Sequence, residues 1–239
     1  MVMKYVALPF QETRRLSFYL AMEEFVARQF QAENDYFFMW QVEPSVIFGR
    51  NQVLENEVNV PYCREHGIKL YRRKSGGGCV YADMDNLMLS FVTAGENVNF
   101  AFNRFVNLVL LVLRKLGIAA TGTSHNDIMI GDRKVCGTAC YHVGGRSIVH
   151  STMLYDTNME HMLNAITPSQ EKLQKKGIES VRQRITLLKD FTTLESVEAL
   201  KTMIRETLCE GECLLTAKDV AAIEAIEATY LKEEFIHLL

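Results

Sequence analysis

The order of hydrophobic periodicities constrains the fold of this 239-residue chain more than any other feature. Two long stretches, residues 14–31 and 100–116, place apolar side chains three and four positions apart, as in amphipathic helices. Short runs rich in β-branched and aromatic residues lie between these stretches and continue to Tyr155, and the segment past Met159 is helical and highly charged. This order predicts an α+β fold with a mixed, mostly antiparallel sheet flanked by helices.

Composition excludes several classes of protein. With 48% hydrophobic and 23% charged residues, the chain is an ordinary globular sequence. Its net charge of −3 argues against a general nucleic-acid binder, and its apolar stretches are too short for a membrane span, so neither partner is expected. Six cysteines without a secretory signal are expected to be reduced, which predicts a cytoplasmic protein.

The most specific motif is a basic, glycine-rich loop that follows a predicted strand at Ile68–Tyr71. It runs through Arg72–Lys74, Ser75 and Gly76–Gly78. Glycines allow successive backbone N–H groups to converge on an anion, and arginine suits bidentate contact with phosphate. A plain solvated turn does not require three adjacent glycines, since each costs backbone entropy, so we interpret the loop as a ligand site. The loop matches neither the Walker nor the dinucleotide glycine pattern.

A second candidate is the pair Asp127 and Lys134, which a two-residue turn at Gly131–Asp132 places on neighbouring strands. In simple hairpin register Asp127 faces Cys136. One face then carries Asp127, Met129, Lys134 and Cys136, and the other carries Ile128, Ile130 and Val135. A carboxylate and an ammonium there are able to hold a metal-bound nucleotide and to stabilise charge on a phosphorus or acyl centre. Taken alone, the pair is more often a silent surface ion pair.

The remaining candidates are weaker on sequence alone. His150 follows the β-like run Ser147–Val149, where a lone histidine is more often a packing residue than a catalyst, and no serine or cysteine elbow accompanies it. On one strand Cys136 and Cys140 would lie ~13 Å apart, too far to share a zinc ion or a disulfide. Cys79 is interpreted as a small buried residue rather than a nucleophile.

Together these motifs resemble those of the lipoate protein ligase A family. The run Arg72–Tyr81, with Asp83 behind it, is similar to the family loop R-R-x-S-G-G-G-x-V-[FY]-x-D. Other elements in matching order are Ala21-x-x-Glu24, Phe38-Met39-Trp40, Gly49-Arg50-Asn51-Gln52, Asn126-Asp127-Ile128, Arg133–Ala139, His150–Leu154 and Ser180-Val181-Arg182. The resemblance covers roughly residues 16–188, so chance similarity is improbable. One departure is Ala82, where many family members carry histidine.

The resemblance implies a fold shared with biotin protein ligases and a reaction in two steps. Lipoate and ATP would give lipoyl-adenylate, and the lipoyl group would pass to a lysine of a carrier, either an E2 subunit or the glycine cleavage H protein. Lys134 would be catalytic, touching the lipoyl carbonyl and the phosphate. The residues implied to hold ATP or the adenylate are Arg73, Gly78, Cys79, Val80, Tyr81, Asp127 and Lys134. Those implied to hold lipoate are Arg72, Ser75, Gly76, Gly77, Lys134, Gly137 and His150. Asp127 would also lie near a Mg²⁺ ion bound through the phosphates.

We expect one catalytic domain over residues 1–239, with the motifs in a core of residues 1–189 and a helical C-terminal extension over residues 190–239. The accessory C-terminal domain of longer ligases would be absent. In some relatives a separate polypeptide supplies it for the activation step, and others only transfer a preformed acyl group. One alternative is a lipoyl or octanoyl transferase that works without ATP, for which an acyl-thioester on Cys79 or Cys140 is one route. Another is a non-catalytic lipoate- or nucleotide-binding module, disfavoured because Lys134, Asp127 and the glycine loop are all present.

Overall fold

A computed structural model describes residues 2–95, 97–124, 127–167 and 184–237. Its strands are β1 (Met3–Ala7), β2 (Asp35–Trp40), β3 (Ser45–Phe48), β4 (Lys69–Arg72), β5 (Val80–Ala82), β6 (Asn86–Ala94), β7 (Ala120–Gly122), β8 (Asp127–Ile130), β9 (Arg133–Val143), β10 (Arg146–Leu154) and β11 (Gly211–Leu214). Its α-helices are α1 (Leu16–Gln29), α2 (Leu54–Glu57), α3 (Val60–Glu65), α4 (Val98–Lys115), α5 (Met159–Ala165), α6 (Val197–Leu208), α7 (Ala217–Tyr230) and α8 (Glu233–His237). A 3₁₀ helix covers Leu188–Phe191.

The strands form one large and one small sheet. Eight strands pair in the order β11-β1-β2-β6-β10-β9-β8-β7, and three pair in the order β4-β3-β5. Strand β1 runs parallel to β2 and β11, and β3 runs parallel to β4, whereas the other pairs are antiparallel. The predicted α+β fold with a mixed, mostly antiparallel sheet is confirmed.

Both faces of the large sheet are covered because side chains alternate along its central strands. Phe37 on β2 packs into a cluster with Phe105 of α4 and Leu200 of α6. The next residue, Phe38, points to the opposite face, into a cluster with α1 and with Ile223 of α7. The molecule therefore has a layer of helices on each side of the sheet, and the central strands are buried from both sides.

Helix α1 is buried on almost every side, because α7 packs against the side that faces away from the sheet. The predicted apolar stripe is buried as expected, including Phe18 and Met22. Glu23 and Glu24 lie in the same helix and are also buried, which the stripe did not predict. Two carboxyl groups are thus held inside the protein, where they require hydrogen-bond partners.

Glycine and asparagine mark the ends of elements as the sequence predicts. Helix α4 begins after Asn97, whose side chain accepts a hydrogen bond from the Phe100 amide, and ends just before Gly117, which adopts a φ of +75°. The β9–β10 turn contains Gly144 and Gly145, with φ values of +60° and +74°. This turn was predicted and is confirmed.

The β8–β9 hairpin differs from the simple register. Its turn at Gly131 is confirmed, with a φ of +60°. The observed Cα partners are Ile130 and Arg133, Met129 and Lys134, Ile128 and Cys136, and Asp127 and Gly137. Val135 is an extra residue on β9, a bulge that shifts all later partners by one. The prediction that Cys136 shares the face of Lys134 is therefore wrong; Cys136 is fully buried in the core beside Ile128.

The segment past residue 190 is not purely helical, which corrects part of the sequence-based expectation. It contributes β11, which pairs in parallel with β1 at the edge of the large sheet. Neither strand was predicted, because each is short and its sequence lacks a clear alternation. The division of the chain at residue 189 remains a prediction.

In the described part of the chain, no helix combines the length and apolar character required to cross a bilayer.

Candidate active site

A cavity of about 350 Å³ lies between the glycine loop, residues 72–79, and the large sheet. Its apolar wall is formed by Leu20, Trp40, Ile47 and Met88. Charged side chains complete the lining, from Arg73 in the loop, Asp127 on β8, Lys134 on β9 and Arg184. The cavity therefore offers an apolar surface and a charged surface to the same ligand.

The backbone of the glycine loop borders this cavity through Gly77, Gly78 and Cys79. Gly77 has a φ of +94°, which favours glycine. The turn after β3 packs closely on the loop, since a Cβ atom at Gly49 would lie 2.2 Å from the carbonyl oxygen of Gly77. Glycine at position 49 is thus required for the loop to reach its place.

Arg73 holds the loop from within. Its guanidinium donates to the carbonyl oxygens of Ile47 at 3.1 Å, Gly76 at 2.7 Å and Gly78 at 2.7 Å, and its Nε donates to Ser75 Oγ at 3.0 Å. Burial lowers the pKa of Arg73 to about 10, so the side chain remains charged at neutral pH. Its bonds give the loop one defined shape in front of the cavity.

Asp127 forms ion pairs with two cationic side chains at the cavity, Lys134 and Arg184. Its Oδ1 lies 2.7 Å from Lys134 Nζ, and its Oδ2 accepts a hydrogen bond from Arg184 Nη2 at 2.8 Å. Gly137 leaves room for the lysine, since a Cβ atom there would lie 2.5 Å from Lys134 Nζ. The observed bulge thus still brings Asp127 and Lys134 together, through Gly137 rather than through Cys136.

A second polar chain connects the loop to α1. Ser75 Oγ lies 2.7 Å from His150 Nε2, and His150 Nδ1 lies 2.9 Å from Glu23 Oε2. The three groups have the order of a Ser-His-acid triad, although the sequence showed no serine elbow to accompany His150. Ser75 is only 1% exposed and does not line the cavity, so the arrangement fits an anchor for the loop better than a nucleophile.

Further groups extend this polar chain at either end. Arg73 only donates, so Ser75 Oγ accepts from it while also bonding His150 Nε2. The indole of Trp40 also only donates, at 2.9 Å to Ser90 Oγ, so Ser90 donates to Glu23 Oε1 at 2.6 Å. Glu23 thus receives Ser90 and lies against His150 Nδ1, which connects α1 to the glycine loop.

Comparison with known proteins places the chain in a family. The model of the lipoyl protein ligase A/B catalytic domain matches residues 16–209, most of its length. The chain belongs to this family. Among curated members, lipoate–protein ligase 1 of Staphylococcus aureus is 38% identical over 214 residues, which are 87% of this chain and 65% of that protein. The chain spans a little under two thirds of the length of the curated relatives it matches.

Solved structures of the lipoyl ligase family share the fold. A bi-partite lipoate protein ligase of Thermoplasma acidophilum, described with its E2 lipoyl domain, superposes with a TM-score of 0.86 at 27% identity, covering 100% of this chain and 98% of the other. A lipoate-protein ligase A bound with ATP gives a TM-score of 0.82 at 25% identity, covering 100% of both chains. The expected likeness to the lipoate protein ligase fold is therefore confirmed.

The structure of this family member brings most of the predicted site residues to one cavity. Those that line it are Arg73, Gly77, Gly78, Cys79, Val80, Asp127, Lys134, Gly137 and His150. Ser75 and Gly76 lie behind this lining, and Tyr81 packs in the core beneath the small sheet. Asn126 and the element at residues 180–182 lie outside the described residues.

Arg72 points away from the cavity. Its guanidinium donates to the carbonyl oxygens of Arg50 at 2.9 Å, Gln52 at 2.8 Å and Ile236 at 2.9 Å, and it stacks over the ring of Phe48. These contacts tie the start of the glycine loop to the C-terminal helix α8. The implied contact of Arg72 with lipoate is not one that this geometry supports.

Two side chains of the site, Glu23 and Arg184, were not predicted from the sequence. Glu23 adjoins the Glu24 of the quoted motif but was assigned no role, because periodicity alone does not tell which polar residues a helix buries. Arg184 follows the quoted motif at residues 180–182 by two positions, and only its hydrogen bond to Asp127 reveals it.

Cys79 at the cavity and Cys140 on β9 are both protonated thiols at neutral pH. Burial raises the pKa of Cys79 to about 12, even though Arg73 and Arg72 act in the opposite direction. Burial also raises the pKa of Cys140 to about 12. Since the thiolate is the nucleophilic form, neither residue is prepared for an acyl-thioester mechanism at neutral pH.

Proposed function

We propose that this chain is a lipoate-protein ligase, which activates lipoate with ATP to lipoyl-adenylate and transfers the lipoyl group to a lysine of a carrier domain. The observation that carries the proposal is the cavity in which the backbone of Gly77–Cys79 and the amine of Lys134 lie together. Family membership supports it, as do the relatives, one named a lipoate–protein ligase and one solved with ATP.

The two walls of the cavity suit the two halves of lipoyl-adenylate. The apolar wall of Leu20, Trp40, Ile47 and Met88 suits the lipoyl chain, and it would keep water away from the reactive acyl-phosphate anhydride. The loop amides and the charged wall suit the phosphate, because backbone N–H groups and cations both stabilise anions.

Lys134 is the proposed catalytic residue. Negative charge develops around the α-phosphate during activation and on the acyl oxygen during transfer, and a fixed cation beside both atoms lowers both barriers. The ion pair of Lys134 with Asp127, at 2.7 Å, holds the amine in place before substrate binds. We assign Arg73 to shaping the loop, and Gly78, Cys79 and Val80 to nucleotide contact.

The described residues do not form a metal cage of their own. No three histidine, cysteine or acidic side chains among them are close enough to hold an ion. Asp127 is the one carboxylate that these residues contribute to the cavity lining, and both its oxygens already face cations. Mg²⁺ is usually bound mainly by nucleotide phosphates with one or two carboxylates. Asp127 would supply a single oxygen once a cation moves from it to the nucleotide, and the ion would neutralise phosphate charge.

The proposed acceptors are lipoyl domains of E2 subunits, with the glycine cleavage H protein as a further acceptor of the same kind. The Thermoplasma relative, described with its E2 lipoyl domain, supports the first of these. That relative is bi-partite, which supports a separate accessory polypeptide for this chain as well. All six cysteines are free, in keeping with the proposed cytoplasmic location.

The test is incubation of the purified chain with ATP, Mg²⁺, lipoate and an unmodified E2 lipoyl domain, read by the mass of the domain. A parallel reaction supplies preformed lipoyl-adenylate. Lipoylation in both reactions is expected of a self-sufficient ligase. Lipoylation only from the adenylate would refute activation by this chain alone and would favour a transferase or activation that needs an added polypeptide. A domain left unmodified in both reactions would refute the proposal.

A further inference from the structure

Arg184 contributes a cation to the cavity that the proposed reaction does not yet use. Its Nη2 donates to Asp127 Oδ2 at 2.8 Å, while Lys134 Nζ occupies Oδ1 at 2.7 Å. The exposed fractions of the three side chains are 30% for Arg184, 23% for Lys134 and 13% for Asp127. Two cations share one carboxylate, so the group keeps one net positive charge beside the cavity and attracts an anion.

Lys134 and Arg184 are the two cations of the cavity that are available to a nucleotide, because Arg73 is engaged with the glycine loop. The cations that line the cavity, within the described ranges, are Arg73, Lys134 and Arg184. Arg73 is directed to Ser75 and to the carbonyl oxygens of Ile47, Gly76 and Gly78. Contact with a polyphosphate therefore falls mainly to Lys134 and Arg184.

The spacing of these two cations is fixed by the backbone. Ile185, next to Arg184, forms a parallel bridge with Lys134, and the Thr186 amide donates to the Lys134 carbonyl oxygen at 2.9 Å. The segment that carries Arg184 is thus attached directly to β9 beside the bulge. Arg184 is presented to the cavity as a neighbour of Lys134 rather than as a freely moving surface side chain.

We propose that Arg184 binds the pyrophosphate portion of ATP while Lys134 serves the α-phosphate, and that Asp127 holds Arg184 ready until the nucleotide enters. This inference rests on the proposed function. The planar guanidinium matches phosphate oxygens in pairs, whereas the amine of Lys134 acts as a point charge between phosphate and acyl oxygen. Arg184 is the more exposed of the two cations, which suits contact with pyrophosphate, since pyrophosphate must leave the site.

The proposal assigns Arg184 to one half of the reaction. A lipoate carboxylate oxygen forms a bond to the α-phosphorus, the bond from that phosphorus to the bridging oxygen breaks, and its electron pair leaves with pyrophosphate. Arg184 stabilises the charge that develops on pyrophosphate. Lipoyl-adenylate has lost that group, so the transfer step does not use Arg184.

The test compares Arg184→Gln with Arg133→Gln, a control on the exposed end of β9 that does not line the cavity. Calorimetry on the full chain measures the affinity for Mg-ATP, for inorganic pyrophosphate and for a non-hydrolysable lipoyl-adenylate analogue. For Arg184→Gln we expect about a tenfold to thirtyfold loss of affinity for ATP and pyrophosphate and less than about a twofold change for the analogue. The control variant is expected to match the unmodified chain for all three ligands.

Unchanged ATP affinity in Arg184→Gln, or an equal loss for ATP and the analogue, would overturn the assignment. Arg184→Lys keeps the charge and removes the paired donors, so it decides the matter if the glutamine variant does not fold. We expect a loss of about threefold to fivefold for ATP and pyrophosphate and less than about a twofold change for the analogue. Failure of the proposed function looks different, because the unmodified chain would then bind neither ATP nor the analogue.

Discussion

At position 137, glycine leaves the space that the Lys134 side chain occupies. A Cβ atom there would lie 2.5 Å from Lys134 Nζ and 2.6 Å from its Cε. Asp127, the register partner of Gly137 on β8, then meets the amine directly. The placement of the amine proposed as catalytic thus depends on the absence of a side chain opposite its carboxylate.

Replacement of this lysine tests its role most directly. In Lys134→Ala we expect transfer from supplied lipoyl-adenylate to fall by about a hundredfold or more, since a preorganised charge at the reacting atoms is lost. The matched control is Lys189→Ala, which removes an exposed lysine paired with Asp156 away from the cavity. Circular dichroism checks that both variants fold. Undiminished transfer in Lys134→Ala would exclude the proposed role.

The thiol of Cys79 gives a prediction about pH. Because its pKa is raised to about 12, the thiol form persists through neutral pH, and roughly one molecule in ten thousand carries the thiolate at pH 8. Alkylation by iodoacetamide should be far slower than that of glutathione and should rise about tenfold per pH unit between pH 7 and 9. Mass spectrometry of the peptide containing Cys79 measures this rate.

The same residue distinguishes the ligase from a thioester-forming transferase. Cys79→Ser should retain lipoyl transfer, because the thiol is not needed as a nucleophile. Loss of transfer in this variant, together with a trapped acyl-thioester in the unmodified chain, would favour the transferase instead.

The conformation of the glycine loop is held by the contacts of four consecutive side chains, residues 72–75. Arg72 bonds the C-terminal helix, Arg73 bonds the carbonyls of the loop, Lys74 pairs with Glu24 at 2.5 Å, and Ser75 bonds His150. Each anchor leads to a different part of the molecule. The loop therefore owes its shape to tertiary contacts, although its glycines were plain from the sequence.

Substitutions at Gly49 and Gly76 test whether close packing at Gly49 or general flexibility of the glycines positions the glycine loop. Gly49→Ala would place a Cβ atom 2.2 Å from the Gly77 carbonyl oxygen, so the loop must move, and we expect affinity for the lipoyl-adenylate analogue to drop about tenfold or more. Gly76→Ala meets nothing within 4 Å, and affinity should change less than about twofold. Calorimetric titration of both variants measures the effect; equal affinities would contradict this account of the loop.

The β8–β9 hairpin shows how far the pattern of one element predicts its geometry. The turn at Gly131 was predicted because a glycine there suits positive φ values. The bulge at Val135 was not, because it accompanies pairing between Lys134 and the distant segment at Ile185. A contact between remote parts of the chain leaves no local signal in the hairpin sequence.

The whole molecule depends on its C-terminal segment to enclose α1. Helix α7 packs against α1, and the hydroxyl of Tyr230 donates to the buried Glu24. The Glu24 carboxylate also receives Lys74 from the glycine loop. The last part of the described chain is thus connected through one buried carboxylate to the loop at the cavity.

The packing of α7 can be measured by a substitution in its buried face. Ile223→Ala removes a fully buried side chain and should lower the free energy of unfolding by about 2–4 kcal/mol. Lys218→Ala, on the exposed side of the same helix, should change it by less than about 0.5 kcal/mol. Urea denaturation measures both variants, and an equally small effect of Ile223→Ala would show that α7 is not part of the cooperative core.

The sequence by itself determined the fold class, the long helices, the turns and nine of the residues that line the cavity, because periodicity, glycine and charge act locally or in ordered motifs. Only the tertiary structure decided that Arg72 turns to the C-terminal helix and Ser75 to His150, that Glu23 is buried beneath the site, and that Arg184 joins Lys134 at Asp127. These contacts join residues from 57 to 164 positions apart. They depend on how layers pack against each other, which local pattern does not specify.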